Sequence, residues 1–194
     1  MFNSLKFKVI FFGFIFTFFS SFGQSYFLGL FNSSIRETLS ITHGQFGSIY
    51  ASATLCSSIL LIWVGKKIDD VNVFKFALFV TILLSFACFF FSKISSVLLL
   101  FIAIFLMRFS GQGMMSHTAS TTISRYFTKT RGRALSISWF GLSSAEFILP
   151  VLMVYLLTLI DWQNLWLIFS ITVLVVLPIA SFLLIKNLNL DSRE

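Results

Sequence analysis

The sequence predicts an all-α membrane protein of six transmembrane helices, built as two inverted three-helix repeats. Three observations carry that prediction. Six apolar blocks are each long enough to cross a bilayer, lysine and arginine collect on alternate connections, and small or polar residues recur in the same order in the two halves. Of the 194 residues 57% are hydrophobic and only 11% charged, with a mean hydropathy of +0.95. Soluble domains carry about 25% charged residues, so this chain has too little polar surface to cover a water-soluble globule. Its net charge of +7 would suggest nucleic acid in a soluble protein. Here the basic residues lie between apolar blocks and report membrane topology instead, so no nucleic-acid partner is expected.

A helix that spans the hydrocarbon core needs roughly 20 apolar residues. Six blocks satisfy this: Val9–Phe31, Gly44–Val64, Val73–Phe91, Val97–Ile123, Ala134–Leu157 and Asn164–Ile185. The first follows Lys6 and Lys8 but is too long for a signal-peptide core and lacks a small-x-small cleavage site. With the N-terminus inside, eleven Lys and Arg fall on the inner face: Lys6, Lys8, Lys66, Lys67, Lys75, Arg125, Lys129, Arg131, Arg133, Lys186 and Arg193. Only Arg36 and Lys93 fall outside, and Arg108 lies within a span. This asymmetry places both termini in the cytoplasm and the chain in the plasma membrane, in a bacterium the inner membrane. Trp63, Tyr126 and Trp139 are expected to form the inner aromatic belt, and Tyr155, Trp162 and Trp166 the outer one.

Spans 1, 2, 4 and 5 carry small and polar residues, whereas spans 3 and 6 are almost wholly Phe, Leu, Ile and Val. Gly47, Ala51, Thr54 and Ser58 in span 2, and Ala134, Ser138, Gly141 and Ala145 in span 5, recur at helical spacing. Such stripes let helix backbones approach closely within a bundle. Thr17, Ser21 and Gln24 form a polar stripe in span 1 that would be costly against lipid. Spans 3 and 6 are expected to face lipid. The order polar, polar, apolar thus occurs twice, and because three is odd the second triplet starts from the opposite side of the membrane, the pattern of inverted repeats.

Arg108 sits mid-helix, where a charge costs about 2.5–3.5 kcal/mol on insertion scales, so it should face a polar cavity or a carboxylate. Counted from the basic loop at about 1.5 Å per residue, Arg108 lies about 25 Å deep and Glu146 about 20 Å deep, depths that allow contact. Pro150 offers no N–H to the carbonyl of Glu146, weakening the helix there. Glu146 therefore reads either as a proton or substrate group or as the counter-charge of Arg108. Gln112, one turn from Arg108, and Gln24 in span 1 read either as substrate ligands or as interhelical hydrogen-bonders. His117, nine residues from Arg108, should lie about 180° around the helix and pack elsewhere, while His43 is a solvated end residue. Cys56 and Cys88 each lie in an apolar block, so neither a disulfide framework nor a metal site is expected, and no cofactor is called for.

The loop after span 2 runs from Gly65 through Asp69 and Asp70 to Asn72, span 4 carries Arg108, Gly111, Gln112 and Gly113, the next loop holds Arg125, Arg131, Gly132 and Arg133, and span 5 carries Gly141, Glu146 and Pro150. In that order and at those helices, the set resembles the N-terminal half of a major facilitator superfamily transporter. The resemblance covers the whole chain. It departs from the family's first loop signature at three places, where Lys67 replaces a leucine, Asp70 an arginine and Asn72 a glycine; Asn tolerates the left-handed conformation that a tight turn could need. The resemblance implies a conformational latch of Gly65 and Asp69 with Arg125 or Arg131. Without it, Asp69 and Asp70 are explained by the dipole at the start of span 3. It further implies half of a twelve-helix fold, residues 1–194 forming one six-helix domain and 186–194 the start of a central cytoplasmic loop.

Three function classes follow. The first is secondary active transport of a small solute by alternating access, an unpaired Arg108 favouring an anionic or polar one, with the solute bound between this half and a second half or second copy. The second is a non-transporting assembly subunit or a gene fragment. The third, an intramembrane serine protease, needs a serine and a histidine from a different helix, and the only histidines are His43 and His117. No His-Glu-x-x-His metalloprotease motif occurs. The sequence therefore does not read as an enzyme.

Overall fold

The computed structural model describes residues 4–187. Arg193 and most of the expected central loop lie outside them. Six helical spans are long and apolar enough to cross a membrane: Ser4–Gly29, His43–Asp69, Val73–Phe91, Val97–Tyr126, Arg131–Leu156 and Trp162–Ile185. Local signals set their ends. Thr42 and Gln45 form a capping box at the start of span 2, each side chain satisfying a backbone N–H that the first helical turn leaves unpaired. The Asn72 side chain accepts from the N–H groups of Phe74 and Lys75 and starts span 3. Asn72 has φ −58°, so it serves as an N-cap and does not use the left-handed conformation that asparagine tolerates. Ser96 caps span 4 in the same way through Leu99 N–H.

A short helix, Asn32–Leu39, follows span 1 and was not legible as one in the sequence. It ends at Ser40, whose φ of 52° is left-handed, so that its N–H turns back onto the carbonyls of Arg36 and Glu37. Ile35 buries its side chain from this helix, and Trp162 Nε1 donates to Thr38 Oγ1 at 3.3 Å, tying it to the start of span 6.

The spans pack as two interleaved repeats. Span 1 lies along span 5 and span 4 along span 2, while spans 1 and 4 cross each other and spans 3 and 6 pair. Exchanging spans 1–3 with spans 4–6 maps this set of contacts onto itself, which is the two-fold relation expected of inverted repeats. The pairing of spans 3 and 6 is itself reciprocal. Ser85 Oγ donates to the carbonyl of Ser170 at 2.9 Å and Ser170 Oγ donates to the carbonyl of Ser85 at 2.8 Å. These two serines are buried where the two most apolar spans meet. Each exchanges one buried hydrogen bond for another, worth about 0.6 kcal/mol on average within membranes.

Spans 3 and 6 do present an outer apolar face, with Phe79, Ile82, Phe86, Ile171 and Leu174 exposed. The least buried span is nevertheless span 2. Its small-residue stripe does not pack within the bundle: Gly47, Ala51 and Ser58 are exposed, and a Cβ on Gly47 would meet nothing within 4 Å. The expected close approach holds only for span 5. The aromatic belts also need correction. Trp166 is 0% exposed and Trp162 and Tyr126 are buried, whereas Trp63, Trp139 and Tyr155 are exposed. Trp166 instead fills the space between spans 1, 3 and 6, with Phe91, Phe31 and Phe27 at centroid distances of 4.4, 5.1 and 5.6 Å. A ring this large gains more by closing a core gap than by lying at an interface.

Candidate functional site

Span 1 is not one helix. An α-helix ends at Ser20, a 3-10 turn covers Ser21–Gly23, Gln24 is extended with ψ 152°, and a second helix begins at Ser25. Serine and glycine are weak helix formers, and Ser20, Ser21, Gly23 and Ser25 fall within six residues. The break frees backbone groups at membrane depth, where irregular chain survives only if protein satisfies it. Span 4 is irregular at the facing position: Arg108–Met115 is π-helical. The two irregular stretches cross at glycines. A Cβ on Gly111 would come within 2.6 Å of Gly23 N, and one on Gly23 would strike the carbonyl oxygen of Met107 and the backbone N of Gln112. No residue with a side chain fits either position.

Arg108 binds this crossing together. Its Nη1 donates to the Gly23 carbonyl at 3.0 Å and to Ser25 Oγ at 3.2 Å. The Gly23 carbonyl is one of those the broken helix leaves unpaired, and a cation at a helix C-terminus is favourable. Tyr50 of span 2 donates to the same Ser25 Oγ at 2.8 Å, and its ring lies 5.4 Å from the guanidinium carbon, within cation–π range. Arg108 is 7% exposed, and its Nε has no hydrogen-bond partner.

Beside the crossing, between spans 2 and 4, a cavity of about 240 Å³ is lined by Ser57, Ser58, Leu61, Arg108, Gln112 and Gly113. The hydroxyls of Ser57 and Ser58 donate to the Thr54 carbonyl, which leaves their oxygens to accept. No carboxylate lines this cavity, so Arg108 sets its charge. Arg108 and Gln112 thus share one cavity. Gln24 sits at the break of span 1, next to the carbonyl that Arg108 holds. Glu146 lies apart: it is exposed on span 5 and does not line the cavity. Among the described residues Arg108 and Glu146 form no ion pair. Similar depth did not bring them together: Arg108 turns toward Gly23 and Ser25 of span 1, whereas Glu146 lies on the exposed face of span 5.

At the loop end, Arg125 Nη2 donates to Asp69 Oδ1 at 2.6 Å and to the Ile68 carbonyl at 2.9 Å. Asp69 therefore pairs with a cation and does not sit in the first turn of span 3, which contains no acidic residue. Arg131 is exposed in the first turn of span 5 and makes no ion pair with Asp69. Gly65 accepts a hydrogen bond from His117. Sequence reasoning put His117 opposite Arg108 by assuming 100° per residue throughout. The π-helical stretch winds less per residue, so His117 comes round to face span 2, as Arg108 does. Gly23, Ser25, Tyr50, Ser57 and Ser58 were also missed. The cluster of serine and glycine around Gly23, inside an otherwise apolar span, was the available signal for the first two.

A six-helix bundle of inverted repeats, with two irregular helices crossing beside a polar cavity, is an architecture associated with secondary transporters. Residues 13–192 match the family model of the Major Facilitator Superfamily, and the chain belongs to that superfamily, as a six-helix unit consistent with its N-terminal half. Comparison with curated proteins finds no match.

Proposed function

We propose that this chain forms one of the two bundles of a secondary active carrier that moves a small polar solute, an anion in the strongest form, by alternating access. The observation that carries this reading is the crossing of spans 1 and 4. Two helices lose α-helical geometry at the same depth, and the cavity beside them holds a cation and no counter-charge. Discontinuous helices near the midplane are where secondary transporters bind solute. Gln112 supplies an amide and Ser57 and Ser58 supply acceptor oxygens, while Arg108 supplies positive potential and holds the floor of the cavity in place. Gln24, at the break of span 1, and Glu146, exposed on span 5, do not line this cavity; we assign them to the solute or proton pathway outside it. The cavity of about 240 Å³ falls short of the roughly 300–1,000 Å³ of complete ligand sites, as one wall of a two-walled site should.

In this reading the second wall comes from another six-helix half or a second copy, docked on the exposed faces of spans 2 and 5. The protein is integral to the plasma membrane, in a bacterium the inner membrane, with both termini cytoplasmic. Residues 65–69 act as the conformational latch through Asp69 and Arg125. Two measurements test the reading. Purified chain in mild detergent is sized by light scattering and assayed in liposomes with a panel of labelled small anions and sugars. Uptake should require a complementary half or self-association; saturable uptake by a stable monomer overturns the proposal. For topology, Cys56 and Cys88 are first replaced, then Arg36→Cys and Lys129→Cys are probed on intact cells with an impermeant thiol reagent. Arg36→Cys should label and Lys129→Cys should not, and the reverse pattern inverts the assigned orientation.

A further inference from the structure

Span 2 ends in a 3-10 stretch, Gly65–Asp69, which is gripped at both ends by one neighbouring helix. At its start, the His117 Nε2 lies 2.9 Å from the Gly65 carbonyl. At its end, Arg125 Nη2 reaches the Ile68 carbonyl and Asp69 Oδ1. Both anchors project from the α-helical part of span 4, Ser116–Tyr126. A carbonyl only accepts, so Nε2 must carry a proton, in the neutral ring or in the imidazolium. The Ile68 carbonyl lies at the end of the stretch, where no helical N–H follows, whereas the Gly65 carbonyl lies at its start and meets His117 through its second lone pair. Between the anchors, Ile68 is buried and closes the underside of the segment.

We propose that His117 is a positioning residue for this segment: its N–H fixes Gly65 so that residues 65–69 move as one body with span 4, the helix that carries Arg108. This rests on the reading of residues 65–69 as the latch. Arg125 alone would hold only the end of the stretch, through an ion pair whose carboxylate partner is 69% exposed and therefore weak and salt-sensitive. The half-buried His117 bond to the Gly65 carbonyl supplies the other attachment, at the start of the stretch.

The test is hydrogen exchange of backbone amides in the full chain, in detergent or nanodiscs, with amides of span 3 as internal reference. His117→Leu keeps side-chain volume and removes the donor, whereas His117→Gln keeps an N–H at nearly the position of Nε2. We expect the amides of residues 68–70 to exchange about three- to tenfold faster in His117→Leu, the change that loss of one hydrogen bond of ordinary net strength produces. His117→Gln should restore wild-type exchange. Unchanged exchange in His117→Leu, or equal acceleration in both variants, overturns the inference, the second result reducing His117 to packing. If exchange behaves as expected but the assembled transporter carrying His117→Leu cycles at the wild-type rate, the anchor stands and the latch reading of residues 65–69 falls.

Discussion

In span 5, Ala134, Ser138, Gly141 and Ala145 are buried along span 1, whereas in span 2, at the same kind of helical spacing, Gly47, Ala51 and Ser58 lie on open surface. The span 5 stripe is used to its limit. Thr17 Oγ1 donates to the Ser138 carbonyl at 2.6 Å, and a Cβ on Gly141 would collide with the carbonyl oxygen of Phe14. The span 2 stripe touches nothing comparable. A row of small residues therefore states that a backbone is to come close, without stating which one. For span 5 the partner is within the chain. For span 2 we assign it to the second half of the carrier, which explains why a membrane helix would keep glycine, alanine and serine on a surface where leucine would satisfy lipid equally well.

The sharpest way to break this contrast is to enlarge one glycine in each stripe. Gly141→Leu should lose about 3 kcal/mol or more, since overpacking already costs 1–3 kcal/mol and the obstacle here is backbone. The measurement is the thermal midpoint of the detergent-solubilised chain, followed by size-exclusion monodispersity. Survival of this variant with an unchanged midpoint would refute the close packing of spans 1 and 5.

Next in size is Arg108→Ala, which strands the Gly23 carbonyl and should cost about 1–3 kcal/mol. Arg108 and Glu146 contrast in the same way as the two stripes, one committed inside the bundle and the other on its open side. Adding Glu146→Ala to Arg108→Ala should therefore leave the loss in place. Recovery of stability in the double variant would reveal an ion pair and require a different arrangement of spans 4 and 5.

A smaller effect is expected at the seam of spans 3 and 6. Ser85→Ala should cost roughly 0.6–1.7 kcal/mol, the range for interhelical hydrogen bonds in membranes, and Ser170→Ala should add little once Ser85 is gone, because both belong to one reciprocal pair. Strict additivity in the double-mutant cycle would rule out the reciprocal bond.

The smallest change in stability is reserved for Gly47→Leu, within about 0.5 kcal/mol as for an unconstrained surface position. Its effect should appear instead in association, measured by light scattering in the presence of a complementary half. An assembled complex that tolerates Gly47→Leu would return span 2 to the lipid and leave its small residues unexplained.

The six spans, the inverted repeat and the superfamily were legible in the sequence because they depend on patterns that any single helix carries. Apolar length decides whether a segment crosses a bilayer, and the ordering of polar and apolar spans survives translation into structure without knowledge of contacts. Arg108 and Gln112 could also be singled out, since charge and amide in an apolar helix are expensive wherever they point. What they point at was a matter of tertiary structure alone. The serine and glycine cluster allows span 1 to break at Gly23, but the crossing of Gly23 on Gly111 beside the π-helical turn, and the donation of Arg108 to the freed Gly23 carbonyl, arise only where the two helices meet. From that meeting follow the partner of Arg108, which is a backbone carbonyl and a serine and not Glu146, and the rotation of His117 toward Gly65. The fate of each small-residue stripe was settled in the same way: residue size permits a close approach, and only the packed arrangement of the other helices determines what does the approaching.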